Sequence, residues 1–368
     1  MAYLNLFRDQ LQHNYRYLDD LFKKHNIKWG ITTKLLCGTM SYLEEVIDLG
    51  IKEVHDSRIS NLEKIKEIDS GTMTVYIKPP PKDAIADIVR YADASLNTEL
   101  TTLYALSEEA VKQEKVHKVI IMIEMGDLRE GVMREELIDF YEKVFRLPGI
   151  EVIGLGTNLN CLHGVLPDGD KLIQLSLYKQ IIDLQFKKFI PLVSAGTTVT
   201  IPLLLSKQLP AGVNHFRVGE ALFFGTNLFN GETLEGMSNS VLELNTHIIE
   251  ISEKPVVPSG ELGTNVQGNT TTINTEDLGK TAYRAILDIG YLDVQPDYLI
   301  PADESIEILD ASSDMMILNV GDNPNNYKVG DLVRFKLKYM GALSLMSSDY
   351  IEKNVVDRHE GAEFGVKK

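Results

Sequence analysis

The sequence predicts an α/β fold, a (β/α)8 barrel of the TIM type followed by a mainly-β C-terminal domain. Strand-like segments alternate eight times with helix-like segments up to residue 232, the connections between them are short, and the pattern changes after that residue. The same alternation also fits a doubly wound open sheet, which is the alternative fold. We therefore expect a barrel over residues 10–232 and a β domain over residues 233–368.

Each barrel strand is predicted where a short apolar or β-branched run lies between two segments of helical period. The segment KWGITTK precedes the helical SYLEEVIDLG, and Gly50 at the end of that helix is a typical stop signal. The predicted strands span residues 28–34, 52–56, 73–78, 94–97, 117–125, 151–158, 189–195 and 214–218.

The β domain is predicted from β-rich segments that Gly, Pro and Asn clusters separate. These segments are LELNTHIIEISEKPVV, KTAYRAILDIGYLDV, SIEILDASSDMMILNV and GDLVRFKLKYMGALSLM. The N-terminal segment AYLNLF alternates between apolar and polar residues, so residues 1–9 are expected to add a strand to this domain.

Composition favours a protein that acts on a small molecule. The formal net charge is -16, from 53 acidic and 37 basic residues, which disfavours binding to nucleic acid or to an anionic membrane. Two cysteines, Cys37 and Cys161, are too few for a disulfide scaffold and fit the reducing cytoplasm. The sequence also has no signal-peptide-like or membrane-spanning apolar run, so a cytoplasmic location is expected.

Chemically useful residues follow the predicted strands, at the end where barrel enzymes carry their active sites. They combine an amine, arginines, amides, hydroxyls and two glycine turns, a set that suits an anionic, aromatic, phosphorylated cofactor. The segments SAGTT and RVGE each offer backbone N–H groups for a phosphate. The residues are Lys34, Asp56 to Arg58, Asn97, Arg129, Asn158 to Asn160, Ser194 to Thr198, and Arg217 to Glu220.

Lys34 is the candidate nucleophile. It lies at the end of the first barrel strand among apolar residues, and the two arginines are expected to face it. Desolvation and like charge disfavour an ammonium group, which is how a lysine that forms a Schiff base is prepared. An ordinary lysine that extends into solvent is the structural alternative.

The motifs TKLLCG, VHDSRISNL, MGDLREGV, VSAGTT, FRVGEALFFG and RAILDIGYLDV resemble those of the alanine racemase superfamily, and within it the alanine/ornithine racemase branch. The superfamily consists of fold-type III pyridoxal-phosphate enzymes. The resemblance covers almost the whole chain. It implies the cofactor pyridoxal 5'-phosphate, an isomerase that racemises a free amino acid such as ornithine or alanine, and a homodimer with a shared active site.

The resemblance also implies roles for individual residues. Lys34 matches the lysine that forms the internal aldimine and acts as one catalytic base. Arg217 matches the arginine that binds the pyridine nitrogen, and Arg129 the one that binds the phenolic oxygen. The remaining matches are Asn158 over the cofactor ring, Thr197, Thr198, Gly219 and Glu220 at the phosphate, and Ser313 and Asp314 at the substrate.

Two departures from the family pattern leave parts of the mechanism open. Asn265 stands near the place of the tyrosine that serves as the second base, and Gly38 replaces a phosphate-binding tyrosine. The candidates for the second acid or base are Tyr283, Tyr291, Cys37, Cys161, His163 and Asp314. The candidate carboxylates for a distal substrate ammonium are Asp56, Asp127, Glu220 and Asp314.

Two other functions are weighed against racemisation. A decarboxylase of the same superfamily is disfavoured, because Arg217 stands where such enzymes carry a carboxylate and no cysteine follows Cys161. A cofactor carrier or regulator without turnover stays open. No metal site is expected: His55 is interpreted as supporting its strand end, and His13, His25, His117 and His359 are interpreted as solvated.

Overall fold

A computed structural model describes residues 2–264, 268 and 270–358. It divides the chain into two compact units, one over Asp9–Asn239 and the other over the described parts of Met1–Arg8 and Ser240–Lys368. The sequence placed this boundary between residues 232 and 233. The first strand, β1 (Tyr3–Phe7), belongs to the second unit.

The first unit contains a closed barrel of eight parallel strands, which confirms the predicted fold class. The eighth barrel strand pairs in parallel with the first barrel strand and so closes the barrel, with Arg217 opposite Gly30. The strands are β2 (Lys28–Thr32), β3 (Glu53–Asp56), β4 (Met73–Tyr76), β5 (Ala94–Asn97), β6 (His117–Met122), β7 (Ile150–Gly156), β8 (Leu192–Gly196) and β9 (His215–Val218).

Nine helices precede or alternate with the barrel strands in the described part of the chain. Helix α1 is amphipathic, and its Leu11, Leu18 and Phe22 form one buried face. None of the helices within the described ranges has both the length and the hydropathy of a bilayer span. The helices are α1 (Arg8–Lys24), α2 (Met40–Asp48), α3 (Ile59–Ile68), α4 (Ile85–Tyr91), α5 (Leu100–Lys112), α6 (Leu137–Val144), α7 (Gly169–Phe186), α8 (Ile201–Leu205) and α9 (Glu220–Phe224).

The inside of the barrel is apolar on one side and polar on the other. Because side chains alternate along a strand, every second residue points inward. Strands β4 to β8 contribute the apolar cluster Val75, Ala94, Leu96, Ile120, Met122, Ile153 and Leu192. Strands β3, β8 and β9 contribute buried polar residues, which are described with the site below.

The second unit is built on an eight-stranded sheet that is mostly antiparallel. Strand β1 pairs antiparallel with the long strand β10 and parallel with the last strand, so the N-terminal segment is part of this sheet. The strands after β9 are β10 (Leu242–Pro255), β11 (Thr281–Leu287), β12 (Leu299–Pro301), β13 (Glu307–Ala311), β14 (Met316–Asn319), β15 (Leu332–Leu337) and β16 (Glu352–Val356).

One segment of the second unit differs from its predicted structure. The sequence YMGALSLM was read as β-rich, but it forms helix α10 (Tyr339–Ser347) directly after β15. Ala, Leu and Met are strong helix formers. Gly341 also lets the helix approach another backbone, because a Cβ there would lie 2.8 Å from the Tyr298 carbonyl oxygen.

Candidate active site

Lys34 lies at the carboxyl end of β2, where the chain enters a short 3-10 helix, Lys34–Leu36. The preceding Thr33 is fully buried and fixes this turn. Its N–H donates to the His55 carbonyl oxygen at 2.8 Å, and its hydroxyl donates to Asp56 Oδ2 at 2.8 Å. Lys34 therefore follows a rigid strand end.

The predicted desolvation of Lys34 is wrong. Its neighbours Leu35 and Leu36 are buried, but Lys34 itself is exposed. Apolar flanks bury the turn, while the long side chain of the lysine extends away from it.

Asp56 anchors the end of the neighbouring strand β3. The fully buried carboxylate accepts from Thr33, from the Arg58 N–H at 2.9 Å and from Asn61 Nδ2 at 3.0 Å. Burial raises the pKa of this carboxyl despite these donors. Because Asp56 is buried and hydrogen-bonded inside the protein, it is not a partner for a substrate ammonium.

Arg217, on β9, is buried and held by four hydrogen bonds. Its Nη1 donates to the Ser194 carbonyl oxygen at 2.7 Å and to the Ser194 hydroxyl. Its Nη2 donates to the Thr157 carbonyl oxygen at 2.9 Å and to Asn158 Oδ1 at 2.6 Å. Burial lowers the pKa of Arg217 to about 10, so the guanidinium is still charged at neutral pH. Its Nε is left without an acceptor among the described residues.

A second arginine joins this arrangement through Glu130. Asn158 Nδ2 donates to Glu130 Oε1, and Arg129 donates to both oxygens of the same carboxylate, from Nη2 at 2.6 Å and from Nε. This carboxylate raises the pKa of Arg129. The structure thus connects the predicted Arg129, Asn158 and Arg217. The sequence analysis did not identify Glu130. Its position next to Arg129, in a loop that follows a strand, could have indicated it.

Asp127 fixes the loop that follows β7. Its buried carboxylate accepts the N–H groups of Cys161 at 3.0 Å, Leu162 at 2.9 Å, His163 at 3.2 Å and Val165 at 3.3 Å. Burial acts to raise the pKa of Asp127, but these four donors outweigh it and lower the pKa. Asp127 therefore holds a loop and is not a partner for a substrate ammonium.

The segments SAGTT and RVGE meet at the barrel end. The buried Thr198 accepts the Ala221 N–H on its hydroxyl at 3.1 Å, which joins the turn after β8 to helix α9. A Cβ at Gly219 would lie 3.0 Å from the Thr32 carbonyl oxygen, so glycine allows this close approach. The Thr197 N–H donates to the Thr200 hydroxyl at 3.3 Å. At the start of α9, the N–H groups of Gly219 and Glu220 have no intrahelical acceptor.

Glu220 and Lys34 lie at the same end of the barrel. Burial raises the pKa of the half-buried Glu220 carboxyl, and the positive charge of Lys34 opposes this rise. The positive charges of Lys34 and Arg129 also act on the thiol of Cys161. They lower its pKa, but desolvation raises it by more. The charge of Lys34 therefore acts on both Glu220 and Cys161, whereas the predicted Asn97 is buried and donates to Ser95.

Next to Arg217 lies a largely buried polar cluster, of which the sequence analysis identified His55 and Ser194 but missed Glu53 and His215. Glu53 Oε1 lies 2.6 Å from His55 Nε2 and 2.8 Å from His215 Nε2, and Ser194 Oγ lies 2.6 Å from His215 Nδ1. The nitrogens of the two histidines and an oxygen of Glu53 all lie within 4.8 Å of one another, a grouping that also suits a metal ion. Residues 53, 55, 215 and 217 are alternate positions on two strands. This spacing could have indicated that their side chains lie on the same side of the sheet.

The other predicted residues lie outside this cluster. Ser313 and Asp314 are exposed in the second unit, between β13 and β14, where both the Ser312 and the Ser313 hydroxyl donate to Asp314 Oδ1. Asn265 and His359 lie outside the described residues. The interpretation of His117 as solvated is wrong, because it is buried and its Nε2 lies 2.8 Å from the Ser95 hydroxyl.

Comparisons with known proteins show the family of the chain. Residues 7–227 match the family model for the alanine racemase N-terminal domain. The chain is 37% identical to an ornithine racemase of Acetoanaerobium sticklandii, over 95% of this chain and 98% of the relative. It is 29% identical to a lysine racemase of Thermotoga maritima, over 94% and 95% of the two chains.

A solved structure shares the fold at low sequence identity. It is the alanine racemase of Bartonella henselae with covalently bound pyridoxal phosphate, with a TM-score of 0.73 and 14% identity, over 96% of this chain and 99% of that one. The family match spans more than half of the chain, and the ornithine racemase match spans nearly all of it. This chain belongs to the alanine racemase N-terminal domain family.

Proposed function

We propose that the protein is a pyridoxal-phosphate-dependent racemase that interconverts the L- and D-forms of a free amino acid, with ornithine as the first substrate to test. The observation that carries the proposal is the placement of Lys34 directly after β2 together with the buried guanidinium of Arg217 on β9. The 37% identity to an ornithine racemase supports the substrate.

The residues at the barrel end fit the cofactor. Arg217 has a charged Nε–H without an acceptor among the described residues, and this donor suits a pyridine nitrogen. The Thr157 hydroxyl is buried there and has no hydrogen-bond partner in the described part of the chain. Gly219 leaves no space for a Cβ, and its N–H and that of Glu220 suit a phosphate. Thr197 and Thr198 would line the phosphate site, and Arg129 and Asn158 the ring.

When bound, pyridoxal phosphate withdraws electrons from the α-carbon of an attached amino acid and makes the α-proton acidic. Lys34 is the residue that would hold the cofactor covalently and then take or return the α-proton on its own face. An exposed amine on a rigid strand end can reach both positions.

Arg217 tunes this chemistry through its permanent charge. Because the guanidinium keeps its own proton at neutral pH, it would donate to the ring nitrogen of a bound cofactor rather than protonate it. Arg217 would thereby make the bound cofactor a weaker electron sink, and Lys34 would return the α-proton quickly. Quick return favours racemisation over decarboxylation and other slower reactions, and so Arg217 argues against the decarboxylase.

We assign the opposite face to Cys161. Cys161 is exposed, the charges of Lys34 and Arg129 act on its thiol, and the net shift of its pKa is upward, so the thiol keeps a proton to donate at neutral pH. Asp127 fixes the backbone of Cys161 at 3.0 Å. The barrel unit also contains two weaker candidates for this role, Cys37 on the same turn as Lys34 and the exposed His163.

The substrate side chain would meet a carboxylate. Asp56 and Asp127 are committed to structural hydrogen bonds, which leaves Glu220 and Asp314 for the distal ammonium of ornithine. Ser313 is proposed to support the substrate carboxylate. We further propose a cytoplasmic homodimer in which the second unit of one subunit completes the site of its partner.

The test incubates the purified protein with pyridoxal phosphate and L-ornithine, L-lysine or L-alanine, followed by chiral chromatography. We expect the D-enantiomer of ornithine to form until both enantiomers are equal. Release of carbon dioxide would indicate the decarboxylase instead. Cofactor binding without conversion of any substrate would favour the carrier and contradict the racemase.

A further inference from the structure

A continuous column of polar side chains runs through one side of the barrel interior, although such interiors are normally filled with branched apolar residues. The polar column consists of Glu53, His55, His215, Ser194 and Arg217. All five residues are buried except Glu53, whose side chain is 15% exposed. Burying so many polar groups is costly unless each is hydrogen-bonded.

The hydrogen bonds of the polar column can all be assigned a donor and an acceptor: each group from Arg217 through Ser194 and His215 donates toward Glu53. Glu53 Oε1 only accepts when ionised, so Nε2 of His55 at 2.6 Å and Nε2 of His215 at 2.8 Å both carry protons. The Ser194 hydroxyl has His215 Nδ1, at 2.6 Å, as its acceptor among the described residues. In this arrangement His215 accepts on Nδ1 and donates from Nε2.

This direction determines what Arg217 meets. Because the Ser194 proton points to His215, the lone pairs of its hydroxyl oxygen face Nη1 of Arg217. Nη1 also donates to the Ser194 carbonyl oxygen at 2.7 Å, and Nη2 has two acceptors of its own. The planar guanidinium is thereby fixed with both terminal nitrogens occupied, which leaves Nε for another acceptor.

The barrel contains a second buried serine–histidine pair. It shows that a buried histidine can find a hydrogen-bond partner without a polar column around it. The Ser95 hydroxyl lies 2.8 Å from His117 Nε2, and Asn97 Nδ2 donates to the same hydroxyl at 2.9 Å. This pair is buried between neighbouring strands of the same barrel, and no hydrogen bond among the described residues connects it to Arg217. It therefore provides a matched control.

We propose that Glu53 and His215, acting through the Ser194 hydroxyl, are positioning residues that hold Arg217 in the one orientation in which Nε can bind the cofactor's ring nitrogen. The proposal rests on the proposed function, since it concerns the same cofactor. It assigns a role to three residues that do not touch the reacting atoms.

The test compares Ser194→Ala with Ser95→Ala, each of which removes one buried serine–histidine hydrogen bond. Pyridoxal phosphate is titrated into each protein while the absorption spectrum of the bound cofactor is recorded. We expect Ser194→Ala to weaken cofactor binding about tenfold and to shift the absorption band, because one hydrogen bond to a charged group is lost. Ser95→Ala should bind within about twofold of the wild type and keep its spectrum.

A second pair of variants tests the far end of the polar column and covers the case in which Ser194→Ala does not fold. Glu53→Gln keeps one acceptor oxygen for both imidazoles, whereas Glu53→Ala removes it. We expect Glu53→Ala to lose cofactor affinity and to shift the absorption band as Ser194→Ala does, and Glu53→Gln to keep both properties.

Nitrogen NMR of the histidine side chains in the protein without added cofactor gives an independent readout. The polar column predicts that His215 carries its proton on Nε2. A proton on Nδ1, or wild-type cofactor affinity and spectrum in Ser194→Ala and in Glu53→Ala, would overturn the proposal. If the wild type itself binds no pyridoxal phosphate, the proposed function fails as well, and the NMR result then shows whether the hydrogen-bond direction still holds.

Discussion

At the scale of single residues, Lys34 carries the covalent chemistry of the proposed function. We expect Lys34→Ala to abolish borohydride-dependent labelling of the protein by pyridoxal phosphate and to lower racemisation by at least about a thousandfold, since it removes both an attachment point and a base. Lys28→Ala, at the other end of β2, is the matched control and should behave as the wild type. Mass spectrometry of the labelled peptide checks the site, and a normal label in Lys34→Ala would refute the assignment.

Cys161 gives the second prediction at this scale. We expect Cys161→Ser to slow racemisation about a hundredfold or more, because a serine hydroxyl is a much weaker acid than a thiol. Exchange of the α-proton that faces Lys34 should continue. Cys37→Ser, on the turn after Lys34, tests the rival candidate for this role and should keep full activity. Equal losses in the two variants would contradict the assignment of Cys161 to the opposite face.

Residue positions at strand ends could be predicted from the sequence, but their surroundings could not. Lys34 and Arg217 follow from the strand pattern and from the family motifs. The exposure of Lys34 could not be predicted from its apolar neighbours. Those neighbours pack into the core, and the long lysine side chain on the same turn extends into solvent. Glu53 and His215 are 162 residues apart, and only the register of a closed barrel brings them together.

At the scale of structural elements, the loop after β7 depends on one carboxylate. Asp127 has a folded-state pKa below its ordinary 3.8, so it stabilises the fold fully above that pH, and this stabilisation is lost as the pH falls through the lowered folded-state value. We expect Asp127→Asn to lower the free energy of unfolding by about 2 kcal/mol at pH 7, because an amide oxygen cannot accept all four N–H groups.

The control for this prediction is Asp168→Asn, at the start of α7, where the half-exposed carboxylate caps the helix by accepting the Lys171 N–H at 2.8 Å and pairs with the ammonium of the same lysine. Asparagine caps helices about as well as aspartate, so the loss should stay within about 0.5 kcal/mol. Urea unfolding at several pH values measures both variants. An Asp127→Asn deficit that stays constant below pH 3 would contradict the linkage.

The elements themselves were predicted well where a pattern repeats and poorly where it occurs once. Eight βα units reinforce one another, so small errors at strand ends do not change the barrel. The segment that forms α10 has no such repetition. Its strand-like apolar run and its helix formers gave conflicting signals, which packing of Gly341 against the Tyr298 backbone resolves in favour of the helix.

At the scale of the whole molecule, the proposed shared site predicts complementation between subunits. Lys34→Ala changes the barrel unit, and Asp314→Ala changes the second unit, where the substrate ammonium is proposed to bind. If each site combines the two units from different subunits, mixed dimers of these inactive variants contain one intact site. Unfolding and refolding an equal mixture should restore about a quarter of the wild-type activity, since half of the dimers are mixed.

Light scattering after gel filtration provides the control, because it must show a dimer for the wild type and for the refolded mixture. Inactive mixed dimers would contradict the shared site. Full activity of Asp314→Ala alone would remove this residue from the substrate site.

The most direct measurement of the central claim follows the α-proton of ornithine by NMR in deuterated water with the wild-type protein and pyridoxal phosphate. Lys34 and Cys161 are proposed to act on opposite faces of the α-carbon. We therefore expect L-ornithine and D-ornithine each to exchange the α-proton for deuterium and each to convert into the other. Exchange without any inversion, from either enantiomer, would show that only one face carries an acid or base and would contradict the racemase.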